Sequence, residues 1–357
     1  MKLGIVGLPN VGKTTLFNAL TGAKAETGSY SNAAAKPNIG TAKVPDERLD
    51  WLAAYYHPKK YSPATIDFVD VPGVASGSRG NEIFQAIRQV DALVEVVRCF
   101  DNEDIFLESA DAVRDAESFD LEMILADIEI VERRLERARK NAKSGDKKYK
   151  RECEMCEALI AHLEGEKPAR DFPFTDEDKD ILADGGLMSV KPIIYAANLD
   201  EDGMSDYANN ANFRALSQFA AEHGAAVLPV AARFEEDIAE LEPEEAELFM
   251  QDLGITETGL DRLIRTSYDL LGYISFLTAG EDDVHAWTIV KGTKAPRAAG
   301  KIHTDIERGF IRAEIVAFED LKACGSMAAA KEKGLFRLEG KEYVMQDGDV
   351  TMFRFNV

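Results

Sequence analysis

The feature that most constrains this chain is a glycine-rich run at residues 7–14. The run reads Gly-Leu-Pro-Asn-Val-Gly-Lys-Thr and fits the pattern G-x-x-x-x-G-K-[ST]. An apolar stretch that predicts a strand, residues 2–6, precedes it, and a helical pattern from Lys13 to Thr21 follows. In a strand–loop–helix unit, glycines let backbone N–H groups turn inward around phosphate oxygens. The run therefore predicts a nucleoside-phosphate site on an α/β sheet.

Each residue type in this loop suits one part of a phosphate site. The ammonium of Lys13 is expected to reach the outer phosphates, and the hydroxyl of Thr14 is expected to ligate Mg²⁺. The alternative, a chance glycine-rich turn, is disfavoured by the strand before the run and the helix after it. The residues that we expect to contact the phosphates are Asn10, Val11, Gly12, Lys13, Thr14 and Thr15.

A second motif, Asp70-Val-Pro-Gly73, ends the apolar run at residues 65–69. A carboxylate at the carboxyl end of a neighbouring parallel strand can hold Mg²⁺ through water, and the Gly73 amide can sense a γ-phosphate. We therefore expect Thr14 and Asp70 to form the metal site, with Lys13, Asp70 and Gly73 as the catalytic residues. Taken alone, D-x-P-G is an ordinary turn, and that interpretation is the alternative.

A third motif, Asn198-Leu-Asp-Glu201, follows the predicted strand at residues 192–197. GTPases with this architecture carry N-K-x-D there, and the aspartate accepts both guanine N–H donors. Leu199 and Glu201 replace the lysine and the aspartate, and the longer glutamate cannot keep the same bidentate geometry. We expect Asn198, Leu199 and Glu201 to bind an adenine base, and the loop at Ala231 and Ala232 to close over it. The alternative is a loop without base contact.

Short apolar runs alternate with helical patterns up to residue 117 and again from 189 to 271. This alternation predicts an α/β fold with a parallel sheet covered on both faces. Residues 118–188 interrupt it with an antiparallel helical hairpin, and residues 272–357 have the period-two pattern of a small strand-rich domain. The expected seam of the first hairpin helix is Leu121, Ile124, Ile128, Val131, Leu135 and Ala138. The predicted organisation is 1–117 and 189–271 for nucleotide binding, 118–188 for the hairpin, and 272–357 for the last domain.

Charge separates the hairpin tip from the rest of the chain. The 357 residues have a formal net charge of −22, which argues against a protein that binds nucleic acid with its whole surface. Between Arg133 and Arg151, however, the sequence has ten lysines and arginines and only two acidic residues, which gives a local charge of +8. Such a cluster predicts salt-dependent binding of RNA phosphates. The alternative is a solvated coiled-coil face.

Cysteine content and hydropathy indicate the compartment. Four cysteines in so long a chain do not make a disulfide framework, which fits a reducing environment. Cys153 and Cys156 are spaced as seam residues of the hairpin, so we do not expect a metal or redox site there. Nowhere do 18 apolar residues run together, so we expect no membrane contact. The expected state is a cytoplasmic monomer.

These motifs together resemble the YchF/Obg-like ATPases, a branch of the translation-factor-related P-loop NTPases. The resemblance runs nearly end to end and implies a P-loop domain interrupted by a coiled-coil hairpin and followed by a β-grasp TGS domain. It also implies a preference for ATP over GTP and binding to the ribosome or RNA, through the tip and the TGS domain. The segments that carry the resemblance are 7–15, 45–49, 70–73, 97–100, 198–201, 278–280, 286–288, 302–305, 307–314 and 346–349.

Two segments depart from the pattern of that family, and Val74 bears on the expected rate of hydrolysis. Ala34 stands where the family's first switch has a Mg²⁺-binding threonine, and the glycine-rich run after Gly73 is shorter than usual. Val74 fits the hydrophobic residue that replaces the water-orienting glutamine in the family. We therefore expect a slow, switch-like ATPase of the translation machinery. Two alternatives stay open: a GTPase of the same architecture, and a non-hydrolysing ATP-dependent protein that binds ribosomes or RNA.

Overall fold

The computed structural model describes residues 2–25, 37–73, 81–103, 105–143, 145–182, 185–252, 255 and 257–356. The chain divides into two compact units, which are described separately. The first unit comprises Met1–Thr41 and Asp67–Leu263, and the second comprises Ala42–Ile66 and Ile264–Val357. Ala34, Val74 and the shortened glycine-rich run at 74–80 lie outside the described residues.

Twelve strands and fifteen α-helices lie in the described residues. The strands are β1 (Lys2–Val6), β2 (Asn38–Lys43), β3 (Lys60–Ser62), β4 (Thr65–Asp70), β5 (Ala92–Arg98), β6 (Ile193–Asn198), β7 (Ala226–Val230), β8 (Tyr273–Ala279), β9 (Asp283–Val290), β10 (Phe310–Ala317), β11 (Arg337–Glu339) and β12 (Asp349–Phe355). The helices are α1 (Lys13–Thr21), α2 (Glu47–Tyr56), α3 (Asn81–Arg88), α4 (Ala112–Ala142), α5 (Lys147–Glu164), α6 (Asp176–Leu182), α7 (Glu201–Ser205), α8 (Ala211–Glu222), α9 (Ala232–Ala239), α10 (Pro243–Asp252), α11 (Gly259–Leu270), α12 (Ala295–Ile302), α13 (Thr304–Arg308), α14 (Phe318–Cys324) and α15 (Met327–Glu332).

The sheet of the first unit has the strand order β2-β4-β1-β5-β6-β7. The five neighbouring strands β4, β1, β5, β6 and β7 are parallel, so their carboxyl ends meet at one edge. In the register, Ile5 lies opposite both Asp70 and Val94, and Asn198 lies opposite both Arg98 and Val230. The α/β fold with a parallel sheet is therefore confirmed, and the chemical motifs lie at its carboxyl edge.

Helices cover the sheet because its central strands, β1, β5 and β6, are buried and mainly apolar. On one face, α3, α4 and α8 form a continuous core with the strands, in which Phe119 and Leu216 meet Leu93 and Tyr195. Helix α1 lies along β1 and packs against α9. This packing fixes the amino end of α1, and therefore the loop before it, relative to the strand ends.

The predicted helical hairpin is present as α4 and α5, with a buried seam that includes Val131, Leu135 and Cys156. The prediction for Leu121 is wrong, because this side chain is 38% exposed. Helix α4 begins at Ala112, before the predicted start at 118, and its first turns face the sheet with Phe119 and its neighbours. Periodicity gives the spacing of a seam but not the partner that each turn meets.

The second unit has a β-grasp sheet with the order β11-β10-β12-β8-β9-β3. Strands β8 and β9 form an antiparallel pair, and β12 lies parallel to β8. Helix α12 packs its alanines, Ala298 and Ala299, against Phe276 and Phe353 of the sheet. The predicted strand-rich C-terminal domain is therefore a β-grasp domain.

The segment Ala42–Ile66 belongs to the second unit, although the sequence assigns it to the domain at 1–117. The physical reason is pairing: β3 adds to β9 as a parallel edge strand, with Tyr61 opposite Val284. Helix α2 is fixed by an ion pair of 2.7 Å between Arg48 and Asp347. A strand of three residues with mixed polarity has no periodicity from which this pairing could be read.

Among the described residues, no helix has both the length and the apolar composition that crossing a bilayer requires.

Candidate nucleotide-binding site

The loop between β1 and α1 has the backbone that a phosphate cradle needs. Gly7, Asn10 and Gly12 all have positive φ values, of 135°, 65° and 100°. A Cβ atom on Gly7 would lie 2.6 Å from the carbonyl oxygen of Val96, and one on Gly12 would lie 2.5 Å from Nδ2 of Asn198. Both glycines are therefore required by space as well as by conformation. Asparagine tolerates the left-handed conformation better than most residues, which suits it to position 10.

Lys13 points into this loop and is almost fully buried, with 6% of its surface exposed. Its Nζ atom donates a hydrogen bond of 2.5 Å to the carbonyl oxygen of Leu8. Burial lowers the pKa of Lys13 to about 8, and the charge of Asp70 opposes this shift. A Cβ atom on Gly73 would lie 3.0 Å from the same Nζ atom. The predicted residues Lys13 and Gly73 are therefore adjacent across the loop.

Thr14 and Asp70 face each other beside Lys13. The Thr14 hydroxyl donates a hydrogen bond of 3.0 Å to Oδ2 of Asp70. Burial raises the pKa of Asp70, while hydrogen bonds from Thr14 and Asn38 and the charge of Lys13 act in the opposite direction. Thr15, the next predicted contact, follows on the first turn of α1 and is partly exposed.

The donor set at Thr14 and Asp70 fits Mg²⁺. Magnesium in nucleotide sites takes few protein oxygens and completes its octahedron with water and phosphate. One hydroxyl and one carboxylate, 3.0 Å apart beside the phosphate loop, are such a set. Among the described residues, no group of three or more histidine, cysteine, aspartate or glutamate side chains could hold a metal. Because the pair at Thr14 and Asp70 offers only two protein oxygens, it suits a metal whose other ligands are phosphate and water.

Asn38 is a site residue that the sequence analysis did not identify. It begins β2, and its Nδ2 atom lies 3.4 Å from Oδ2 of Asp70, the oxygen that also accepts from Thr14. The contact joins residues 32 positions apart in the chain. The only local signal is its place directly after Pro37, beside the segment in which the family's first switch is expected.

Asn198 links the phosphate loop to the loop after β7. Its Nδ2 atom donates to the carbonyl oxygen of Val11 at 2.9 Å, and its Oδ1 atom accepts from the Ala232 amide at 3.0 Å. Asn198 is 5% exposed, and Val11, Ala231 and Ala232 are buried beside it. Both polar ends of the side chain are therefore engaged with the protein, and the geometry gives Asn198 a positioning role.

The other two residues predicted to bind the base differ in exposure. Leu199 is buried, at 3% exposure, in the core of the first unit, and its amide donates to Val230 at 2.8 Å. Glu201 is exposed at the first position of α7, which Asp200 caps. No hydrogen bond or ion pair joins Glu201 to the other predicted site residues within the described part of the chain. The structure thus brings together Lys13, Thr14, Asp70 and Gly73, and it joins Asn198 to Val11 and Ala232. Glu201 is exposed.

The basic tip of the hairpin divides into paired and unpaired cations. Arg133, Arg134, Arg139 and Arg151 form ion pairs with Glu129, Glu152, Glu157 and Asp178. The remaining cations are exposed and make no ion pair with any other described residue. These six are Arg137, Lys140, Lys143, Lys147, Lys148 and Lys150.

Comparison with known proteins matches both units. The family model MMR_HSR1, described as "50S ribosome-binding GTPase", matches residues 2–134. The model YchF-GTPase_C, described as a "protein of unknown function", matches residues 273–356. The curated protein "Ribosome-binding ATPase YchF" of Bacillus subtilis is 50% identical over an alignment of 361 positions that covers 99% of each chain.

Two further relatives give the same result. The protein of the same name from Haemophilus influenzae is 44% identical over 363 residues, covering 100% of this chain and 99% of that protein. A solved structure, described as the Schizosaccharomyces pombe YchF GTPase, is 34% identical and superposes with a TM-score of 0.86 over 99% of this chain and 97% of that one. With identity at this level along its whole length, and with the phosphate loop, helical hairpin and β-grasp unit in place, the chain belongs to the YchF family of P-loop proteins.

Proposed function

We propose that this chain is a Mg²⁺-dependent nucleoside triphosphatase that prefers ATP over GTP and acts on the ribosome. The observation that carries the proposal is the arrangement of Lys13, Thr14 and Asp70 around a loop with three positive φ values. A buried cation, a hydroxyl and a carboxylate at the amino end of α1 are the groups that phosphoryl transfer uses.

Each residue around the phosphate loop has a separate role in the proposed hydrolysis. Lys13 exchanges its hydrogen bond with Leu8 for the outer phosphates, because an anionic oxygen is a stronger acceptor than a carbonyl group. Thr14 and Asp70 hold the metal, and Asn38 keeps the Asp70 carboxylate in place. When bound, Mg²⁺ neutralises charge on the phosphate oxygens. The Gly73 amide senses the γ-phosphate, and glycine lets the backbone come close, because a Cβ atom there would lie 3.0 Å from Nζ of Lys13.

The preference for ATP rests on the loop after β6. Glu201 stands where guanine-specific proteins carry aspartate, and Leu199 stands where they carry lysine. The relatives from Bacillus subtilis and Haemophilus influenzae, which are both named ATPases, support the same choice. Asn198 does not distinguish the two bases, because guanine-specific proteins also carry asparagine there, and it holds the Val11 and Ala232 backbones together.

Ribosome association rests on the hairpin tip and on the names of the same relatives. The six exposed cations without an ion-pair partner are free to neutralise RNA phosphates. Because phosphate contacts carry no sequence information, this tip supplies affinity rather than specificity. The β-grasp unit is the second proposed contact, in line with the implied TGS domain.

The decisive experiment measures ATP and GTP affinities of the purified protein with Mg²⁺ and follows released phosphate over time. We expect ATP to bind at least about tenfold more tightly, which is about 1.4 kcal/mol. The Lys13→Ala variant should lose measurable hydrolysis and bind nucleotide more weakly, whereas the control Lys43→Ala, at an exposed position on β2, should resemble the wild type. Equal turnover by Lys13→Ala and wild type would refute the phosphate-site assignment.

A second candidate, a GTPase of the same architecture, is favoured by the description of the Schizosaccharomyces pombe protein as a GTPase. The same titration separates the two candidates. GTP affinity equal to or above that of ATP would favour the second candidate, and binding without released phosphate would favour a non-hydrolysing ATP-dependent protein.

A further inference from the structure

The segment between β5 and α4 presents apolar side chains to solvent. Leu107 is fully exposed and Ile105 is 54% exposed, with Phe106 half-buried between them. The exposed charges beside them are mainly negative, on Asp101, Glu103 and Glu108, and the exposed Arg114 pairs with Glu108. We call residues 105–109 the apolar loop. Exposed apolar side chains with a polar rim are typical of protein interaction sites.

The apolar loop is held in place by interactions that do not involve the side chains of Ile105 and Leu107. The guanidinium of the buried Arg98 donates to the carbonyl oxygens of Glu108 at 3.2 Å and Ser109 at 3.4 Å. The same guanidinium lies 3.8 Å from the ring centre of Phe106. The Glu108 carboxylate pairs with Arg114 at 2.8 Å. Arg98 and Arg114 thus hold the backbone of the loop and Glu108 in place. The exposed side chains of Ile105 and Leu107 are not needed for these contacts.

The loop starts beside the nucleotide site. Arg98, which holds it, lies opposite Asn198 in the register of β5 and β6, and the Cys99 amide donates to the Asn198 carbonyl oxygen at 2.8 Å. Asn198 in turn joins the phosphate loop to the loop after β7. The apolar loop is therefore anchored to the end of β5, beside the strand end that carries Asn198.

We propose that the apolar loop binds a basic protein, inserting Leu107 and Ile105 into an apolar pocket with a positively charged rim. The charge beside the loop selects this partner, because the exposed carboxylates of Asp101 and Glu103 attract lysine and arginine and repel RNA phosphates. The inference rests on the proposed ribosome association. It divides the contacts by chemistry, with RNA at the basic hairpin tip and a ribosomal protein at the apolar loop.

Photo-crosslinking identifies the chemistry of the partner. In the full chain, Leu107→p-benzoylphenylalanine is irradiated with purified ribosomes, and Leu125→p-benzoylphenylalanine serves as the control. Leu125 is also exposed and lies on α4 of the same unit. We expect a crosslink to a ribosomal protein from position 107 and not from position 125. A crosslink to RNA alone, or none, would overturn the inference.

Affinity is measured by co-sedimentation with the same ribosomes. The double variant Ile105→Ser and Leu107→Ser should bind about tenfold more weakly, as for a central apolar contact, and Leu125→Ser should bind like wild type. Circular dichroism checks that the variants fold. A protein crosslink with unchanged affinity would also overturn the inference. If the wild type sediments and the loop variants sediment equally, the inference alone fails; if the wild type does not sediment, the proposed ribosome association fails with it.

Discussion

The Nζ atom of Lys13 donates a hydrogen bond to the carbonyl oxygen of Leu8 at a distance of 2.5 Å. The ammonium group is thus held inside the loop that would surround the phosphates, with little contact with water. Burial disfavours the charged form and lowers the pKa of Lys13 to about 8. The phosphate loop therefore contains a lysine that titrates within an accessible pH range.

The first prediction concerns proton uptake. At pH 8 about half of the Lys13 side chains are neutral, and a bound polyphosphate would restore the charge. Binding of Mg-ATP should therefore take up about half a proton at pH 8, and affinity should fall as the pH rises from 7 to 9. Titration calorimetry in two buffers of different ionisation enthalpy measures the uptake, with Lys43→Ala as the control. Binding without proton linkage at pH 8 would contradict the prediction.

The second prediction concerns the base. Glu201→Asp shortens the carboxylate by one methylene group, so that it can accept both guanine N–H donors. We expect GTP affinity to rise about tenfold relative to ATP, because a matched pair of hydrogen bonds discriminates strongly. Leu199 stays unchanged in this variant, since a lysine at this buried position would bury a charge. Competition titrations measure the ratio, and Asp202→Glu on the same helix is the control. An unchanged ratio would show that Glu201 does not contact the base.

The third prediction concerns the hairpin tip. Changing Arg137, Lys140, Lys147 and Lys148 to glutamate alters the local charge by eight units, from +8 to about 0. These four positions are exposed and unpaired among the described residues, whereas Arg139 pairs with Glu157 and is left in place. Ribosome binding should weaken and its dependence on salt should flatten, by about one log–log unit or less for each lost phosphate contact.

Co-sedimentation at several salt concentrations measures this change. The control exchanges lysine and arginine at the same four positions, which preserves the charge. Exposed substitutions cost about 0.5 kcal/mol or less each, so circular dichroism should show a folded protein. Nucleotide affinity should not change. If a folded variant sediments like wild type, the prediction is wrong and the tip is a solvated helix face.

The fourth prediction concerns stability and pH. Glu235 on α9 is 4% exposed, its Oε1 atom accepts a hydrogen bond of 2.6 Å from the Gly259 amide, and burial raises its pKa to about 7. The folded state therefore retains a proton that the unfolded chain loses near pH 4.5, and stability falls as the pH rises towards 7. Glu235→Gln removes this loss, which is about 1–3 kcal/mol.

Urea denaturation followed by circular dichroism between pH 5 and 8 tests this prediction. The difference in unfolding free energy between Glu235→Gln and wild type should grow in favour of the variant as the pH rises. Glu240→Gln, an exposed change at the end of the same helix, should show no such trend. Parallel pH curves for wild type and Glu235→Gln would refute the prediction.

Local patterns were sufficient for most of the fold and for the core of the site. The phosphate loop, the strands that end at Asp70 and Asn198, and the helical hairpin all follow from motifs and periodicities within a few turns. The long-range contacts could not be predicted in this way. The Asn38 contact with Asp70, and the bonds by which Asn198 holds Val11 and Ala232, depend on side-chain directions that only the assembled sheet defines.

The exposure of individual side chains also could not be predicted from the hydrophobic pattern of the sequence. Leu121 has the spacing of a seam residue, but the sheet lies on another side of that helical turn. The apolar loop has no periodicity, so nothing in the sequence distinguishes the exposed Leu107 from a buried leucine. In both cases the missing information is which neighbour each side chain meets.

The pairing of β3 with β9 has a consequence for synthesis. The edge strand at residues 60–62 leaves the ribosome long before its partner at residues 283–285. At about 5–20 residues per second, the delay is roughly 10–45 s. During that time β3 has no partner strand, and an unpaired edge strand can pair with other chains. The edge strand β3 therefore reaches its place in the sheet only after residues 283–285 have been made.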